Sequence, residues 1–207
     1  MNRTEALDLF LKTRSPGVVR SYCDRLKALY EEHKNELSLL FIDSFRQICQ
    51  QALDRRKERI GYITYSMRRT YLLDRNYNYV VELFDRDWFF DLHPCRFHYN
   101  VEWAFSYWAE LGQALELQRK PYMNLITQPD VEYYLMGCTD VFHDYIVKLA
   151  KHAIPNVLEL PEFKTLQRAE KFEIRVGEYK GISELVYQEQ PGKKDKLQYR
   201  DIQDLVI

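Results

Sequence analysis

Residues 17–59 read GVVRSYCDRLKALYEEHKNELSLLFIDSFRQICQQALDRRKER, and this stretch decides the fold. Val19, Tyr22, Cys23, Leu26, Leu29, Tyr30, His33, Leu37, Leu40, Phe41, Phe45, Ile48, Cys49 and Ala52 recur every three or four residues. That spacing is the period of an amphipathic helix, and no proline interrupts it. A helix of about forty residues is about 60 Å long, several times the usual length of roughly 11–12 residues. A break near Asn35 or Ser38 is the alternative. The segment Leu37–Phe45 is apolar almost all round, which calls for cover on more than one side, from this chain or from a second copy. Upstream, Thr4 reads as the cap of a short helix reaching Lys12, and Ser15-Pro16 as an N-cap followed by proline at the first helical position.

After the basic run Arg55-Arg56-Lys57-Glu58-Arg59 the period changes to two. Ile63, Tyr65, Met67, Tyr71 and Leu73 fall on one face of a strand, with Thr64, Ser66, Arg68 and Thr70 opposite. Asp74-Arg75-Asn76 forms a turn, and Tyr77, Tyr79, Val81 and Leu83 alternate again, which predicts a β-hairpin. Arg69 lies on the apolar face of this strand, so it sits at an edge or pairs with a buried acid. The stretch Asp85–Asn100 is irregular and aromatic.

A helix follows, with Val101, Ala104, Phe105, Trp108, Leu111 and Leu115 in register, ending before Pro121. A second starts at Thr127 or Gln128 ahead of Pro129-Asp130 and carries a stripe from Val131 to Leu149, with Pro155 ending or kinking it. Phe172, Ile174 and Val176, then Gly177-Glu178-Tyr179-Lys180-Gly181, then Leu185 and Tyr187 make a second hairpin. Gln190–Lys196 reads as a loop. Residues 197–207 read as a further strand or short helix, whose Leu205-Val206-Ile207 end is buried. The expected architecture is α+β: a long amphipathic N-terminal helix and further helices packed on antiparallel hairpins that join in one sheet. The expected organisation is a single domain over 1–207, with a helical region 1–59, a hairpin and two core helices over 60–160, and a C-terminal hairpin and tail over 161–207.

Composition removes several functional classes. The 207 residues carry 30 basic and 31 acidic side chains, a balance that argues against bulk electrostatic binding to nucleic acid or an anionic membrane. No run approaches the roughly 18 apolar residues of a membrane span, and residues 1–20 contain no signal-peptide core, so the expected location is cytoplasmic. Cys23, Cys49, Cys95 and Cys138 are widely and irregularly spaced, without a C-x-x-C pair. Aromatics are in excess, with sixteen Tyr and eleven Phe, and half-buried Tyr in a core outweighs a ligand-stacking box as their explanation.

The sharpest candidate cluster is His93-Pro94-Cys95-Arg96-Phe97-His98, whose imidazoles and thiolate are good zinc ligands. A closed site would need a fourth ligand, for which Cys138, His143 or Glu102 are available. Packed or hydrogen-bonded side chains are the commoner reading of His93, Cys95, His98 and Cys138, and no metal is assigned. Asp85, Asp87 and Asp91 suggest oxygen ligands, but Phe89 breaks the calcium-loop pattern. Arg55, Arg56, Arg59, Arg68 and Arg69 interleave with Tyr62 and Tyr65, as in some single-strand binders, although basic residues near a helix end also suit the macrodipole. Phosphate-loop, dinucleotide and serine-hydrolase signatures are absent. The sequence therefore points to an interaction or ligand-binding protein, expected to self-associate as a homodimer through its N-terminal helix. The alternative is a small enzyme centred on the His93–His98 loop, possible metal dependence included. The cofactor is unknown, protein partners rank above nucleic acid, and no membrane partner is expected.

Overall fold

A computed structural model of the chain describes residues 1–189. The expected behaviour of Gln190–Lys196 and of residues 197–207 lies outside that range. Helix α1 (Arg3–Leu9) begins on a reciprocal capping box between Asn2 and Glu5, two residues ahead of the expected Thr4 cap. A five-residue π-turn, Phe10–Arg14, then runs directly into α2 (Ser15–Asp54), which is forty residues long and unbroken at Asn35 and Ser38. Ser15 is therefore not an N-cap. Pro16 cannot supply an N–H, and its ring would clash with the carbonyl four residues back in a regular α-helix. The wider turn, in which Ser15 N–H reaches Phe10 O, accommodates the proline without ending the helix.

Helix α2 stops at Asp54. Arg56, at φ 52°, takes the left-handed position, and its N–H bonds Leu53 O at 2.9 Å while Lys57 N–H bonds Ala52 O at 2.9 Å. These two bonds satisfy carbonyls that the helix end would leave orphaned. Within Leu37–Phe45, Leu37, Ser38, Phe41, Ile42, Ser44 and Phe45 are buried, whereas Leu39 and Leu40 remain 66% and 56% exposed. Cover on several sides is thus incomplete.

Strand β1 (Ile60–Met67) is shorter than expected, because α3 (Arg69–Leu73) makes one helical turn where the apolar alternation continues in the sequence. That turn buries Leu72 and leaves Leu73 exposed. Strand β2 (Asn78–Asp85) pairs antiparallel with β1, as the first hairpin requires. A third strand, β3 (Cys95–Asn100), emerges from the irregular aromatic stretch and pairs antiparallel with β2.

Helix α4 (Glu102–Arg119) ends before Pro121 as expected. The second core helix is split into α5 (Gln128–Gly137) and α6 (Thr139–Leu158), and α6 carries Pro155 internally. The break at Gly137-Cys138 exposes carbonyls that side chains satisfy: Trp108 Nε1 donates to Leu135 O at 3.0 Å, and Arg69 Nη1 to Met136 O at 3.1 Å. After the short α7 (Pro161–Thr165), β4 (Arg168–Glu178) and β5 (Ser183–Glu189) form the second hairpin.

The five strands make one sheet in the order β3-β2-β1-β4-β5. The hairpins do join, but through a parallel β1–β4 pair, so the sheet is mixed rather than antiparallel. One face carries Ile63, Tyr65, Tyr79, Val81, Ile174 and Val176 against the helices. At its centre Phe41 stacks on Tyr65 at 4.5 Å and meets Tyr99 edge-on at 5.6 Å, while Tyr65 Oη and Ser44 Oγ share a buried hydrogen bond of 2.9 Å. No helix among the described residues is long and apolar enough to cross a membrane.

Gly177 is where the second hairpin closes most tightly: a Cβ there would lie 2.3 Å from both Ile182 O and Ser183 Cα. A Cβ at Gly17, by contrast, would meet nothing within 4 Å, because that position lies on the exposed side of α2. Gly177→Ala is expected to destabilise the fold by about 2 kcal/mol through overpacking. Gly17→Ala should stabilise it by up to about 1 kcal/mol through helix propensity. Urea unfolding of the two variants checks both signs.

Candidate functional site

The second face of the sheet, turned away from the long helices, is polar. The strand register places Arg96, Glu82, Thr64 and Arg175 in one row across four strands, and His98, Val80, Ser66 and Gly177 in the next. Tyr62 lies between Phe84 and Glu173 in a third. Thr64, Ser66, Glu82 and Glu173 are all buried. Buried carboxylates need partners, and they have them. Arg96 Nε bonds Glu82 at 2.8 Å, while Arg175 Nη1 and Lys171 Nζ hold the two oxygens of Glu173 at 2.8 and 2.7 Å.

The segment between β2 and β3 folds back as a flap over this face. Trp88, in a left-handed conformation at φ 54°, stacks on Tyr62 with ring centres 4.1 Å apart, and Phe89 meets Phe84 at 5.5 Å. The Arg175 guanidinium lies 5.6 Å from the Trp88 ring centre. Asp91 anchors the flap. Its carboxylate accepts the backbone N–H groups of Asp85 and His93 at 3.0 and 2.9 Å and pairs with Lys57 Nζ at 2.7 Å. Burial pulls the Asp91 carboxyl upward, but the Lys57 and backbone hydrogen bonds outweigh it and hold the group below its ordinary value. Asp85 in turn accepts Asp87 N–H at 2.8 Å. The three aspartates thus shape a loop and do not converge as a ligand set.

Between the flap and the β4–β5 turn lies a pocket of about 340 Å³. Thr64, Ser66 and Arg175 form its floor, Trp88 and Phe89 one wall, and Lys180 to Ser183 the other. The Thr64 hydroxyl and the Trp88 indole N–H are both buried without a hydrogen-bond partner. Such groups carry a desolvation penalty of about 1–3 kcal/mol each unless something fills the site.

The residues singled out from sequence are placed differently. Cys95 points into the helix-facing core, and His98 lies exposed in the polar face, because residues three apart on a strand project to opposite sides. His93 is exposed on the flap, its carbonyl receiving Lys57 Nζ, and Cys138 is buried at the α5–α6 break. His93, Cys95, His98 and Cys138 therefore do not assemble, and among the described residues no group of three or more His, Cys, Asp or Glu side chains is arranged to hold a metal. Burial raises the Cys95 thiol and pushes Cys138 up to about 11, which disfavours the reactive thiolate in both.

The basic set divides as well. Arg55, Arg56 and Arg59 sit before β1, Arg68 and Arg69 after it, and the eight-residue strand separates the groups by roughly 25 Å. Arg55 donates to Pro94 O at 3.3 Å. The Arg68 guanidinium lies 3.9 Å from the Tyr179 ring centre. Arg69 lies in α3 rather than on an apolar strand face, and its acidic partners are not buried: it binds Glu178, Asp140 and the Met136 carbonyl, linking β4 to both halves of the split helix.

Thr64 and Ser66 are legible in the sequence as the polar side of β1, but nothing local marks Trp88, Glu82, Glu173 and Arg175 as their neighbours. The available signal is the repeated polar residue at alternate positions in three otherwise apolar strands. The chain matches no protein-family model, no curated protein and no solved structure. Its function has to be read from its own residues.

A second polar pair lies under the helices, where Tyr79 Oη and His143 Nδ1 are 2.7 Å apart and the rings stack at 5.9 Å. Burial lowers the His143 pKa from its ordinary 6.5, although Asp144, Glu184, Asp140 and Glu178 pull it back up. The unfolded chain therefore takes up this proton more readily than the folded one. The resulting stability is present above pH 6.5 and lost as pH falls towards the folded-state pKa, with a slope of at most about 1.4 kcal/mol per pH unit. His143→Gln keeps an acceptor for Tyr79 and removes the titration. Urea midpoints measured at pH 7.5 and 5.5 should fall in the native protein and change less in the variant.

Proposed function

We propose that this protein is a binding module for a small ligand, seated on the polar face of the sheet between the Trp88 flap and the β4–β5 turn. The observation that carries the reading is the pair of buried, unpartnered groups at the pocket, Thr64 Oγ1 and Trp88 Nε1. A protein that only needed to fold would gain by replacing them with apolar groups of the same shape. Other unpartnered polar atoms lie elsewhere in the molecule, but these two flank one pocket, which fits a site that is completed when a ligand supplies the missing acceptors. The pocket lies near the lower end of the roughly 300–1,000 Å³ typical of ligand sites, which suits a compact molecule. The sheet supplies the floor and the Asp91-anchored flap a wall, which together hold Thr64 and Trp88 beside the pocket.

Thr64→Val tests this directly, because it separates binding from folding. Removing an unpaired buried hydroxyl should raise the stability of the free protein by about 1 kcal/mol and weaken ligand binding about tenfold. The binding is read by ligand-observed NMR against a fragment library and the stability by thermal unfolding. Fragments that bind the variant and the native protein equally would remove this pocket as the site.

A second reading concerns self-association. Leu39 and Leu40 are adjacent on α2 and largely exposed within a stretch whose other apolar residues are covered. A second copy packing along α2 would bury them. Sedimentation equilibrium should then show a dimer that Leu39→Glu/Leu40→Glu converts to monomer. A native protein that is monomeric at high micromolar concentration would rule this reading out.

A further inference from the structure

The side chains around the pocket are unequal in what they offer a ligand. The indole N–H of Trp88, the guanidinium of Arg175 and the ammonium of Lys180 can donate hydrogen bonds and cannot accept them. Thr64 and Ser66 add hydroxyl donors on the floor. The carboxylate that lines the pocket is Glu178, and it is already bound by Arg69 through Nε at 2.8 Å and through Nη2. Arg175 spends three of its five N–H groups on Glu173, Ser183 Oγ and Ser183 O, and the others are open to a ligand. Its charge is offset by Glu173, whereas Lys180 has no carboxylate within ion-pair distance among the described residues. The excess at the site is therefore one of donors and of positive charge. The walls are apolar and partly flat: Trp88, Phe89 and Ile182, the last two also exposed at the rim.

We infer that the ligand is a small organic anion, a carboxylate or similar oxyanion carried on an apolar, planar body. The oxyanion accepts from Thr64 Oγ1, Trp88 Nε1 and the open N–H groups of Arg175, and Lys180 closes over it from the β4–β5 turn. The body lies against Trp88 and Phe89. A cation would meet Arg175 and Lys180 with no free carboxylate to offset them, and a purely apolar ligand would leave the buried donors unsatisfied. This inference rests on the pocket being the binding site, and the experiment below separates the two.

Benzoate, phenylacetate and indole-3-acetate are titrated beside their primary amides, which match them in shape and lack the charge. The indole N–H signals of the ¹⁵N-labelled protein report the site. The chain has three tryptophans, and Trp88→Phe assigns the signal of Trp88. At least one carboxylate is expected to shift the Trp88 signal and to bind about tenfold more tightly than its amide. Lys180→Met should weaken the carboxylate roughly three- to fivefold and leave the amide unchanged. Amides that bind at Trp88 as tightly as carboxylates, or that bind there when carboxylates do not, overturn the anion assignment while the pocket stands as a site. Binding of either series that neither moves the Trp88 signal nor responds to Thr64→Val overturns the pocket itself.

Discussion

The contact between α2 and the centre of the sheet organises the molecule. Phe41, Tyr65 and Tyr99 meet within 4.5–5.7 Å of one another, and the Tyr65 hydroxyl is bonded to Ser44 one turn along the same helix. Aromatic pairs in such geometries contribute about 0.5–1.5 kcal/mol each beyond the area they bury. The hydrogen bond removes the penalty that a fully buried phenol would otherwise carry. Desolvation raises the Tyr65 pKa well above its ordinary value, so the hydroxyl stays protonated. With α2 fixed across the sheet, α4 and α6 pack beside it on the same side, and the helices are committed to one face.

That commitment leaves the opposite face of the sheet to be closed by other means. A sheet covered by long helices on one side must solve the other side with its own side chains and loops. Here the solution is polar. Two buried glutamates are matched with Arg96, Arg175 and Lys171, and a short aromatic flap supplies the remaining cover. The flap is held by the half-buried Lys57–Asp91 pair and by backbone hydrogen bonds to Asp91, alongside the Trp88–Tyr62 and Phe89–Phe84 ring contacts. Trp88 at positive φ is a conformation that non-glycine residues adopt at some cost. A charge-paired polar floor, a flap with Trp88 at positive φ and two unpartnered polar groups, Thr64 Oγ1 and Trp88 Nε1, occur together at one place.

Arg69 links three separate parts of the fold. Its guanidinium gathers the end of β4, the Met136 carbonyl of α5 and the first turn of α6. The break between α5 and α6 and the end of β4 thus share one contact residue. Along the chain alone, Arg69 is an anomaly on an apolar strand face, and the need for an acidic partner is the part that can be inferred.

Local periodicity determined a great deal: the forty-residue helix, the helical and strand character of most segments, the two hairpins and the α+β class. These follow from repeats of 3.6 and 2 residues, which each segment carries within itself. The same logic misplaced what depends on short-range competition, such as the helical turn at Arg69–Leu73, the π-turn that rescues Pro16, and β3 hidden in an aromatic stretch. Tertiary structure alone decided the parallel β1–β4 register, and with it the row that joins Arg96, Glu82, Thr64 and Arg175. It also decided that Trp88 folds onto Tyr62 and that His93, Cys95 and His98 part company. The physical reason is that a strand encodes which of its residues share a face, but not which strand lies beside it. A pocket lined from β1, β4, the β4–β5 turn and the flap therefore exists only once strand order and register are set.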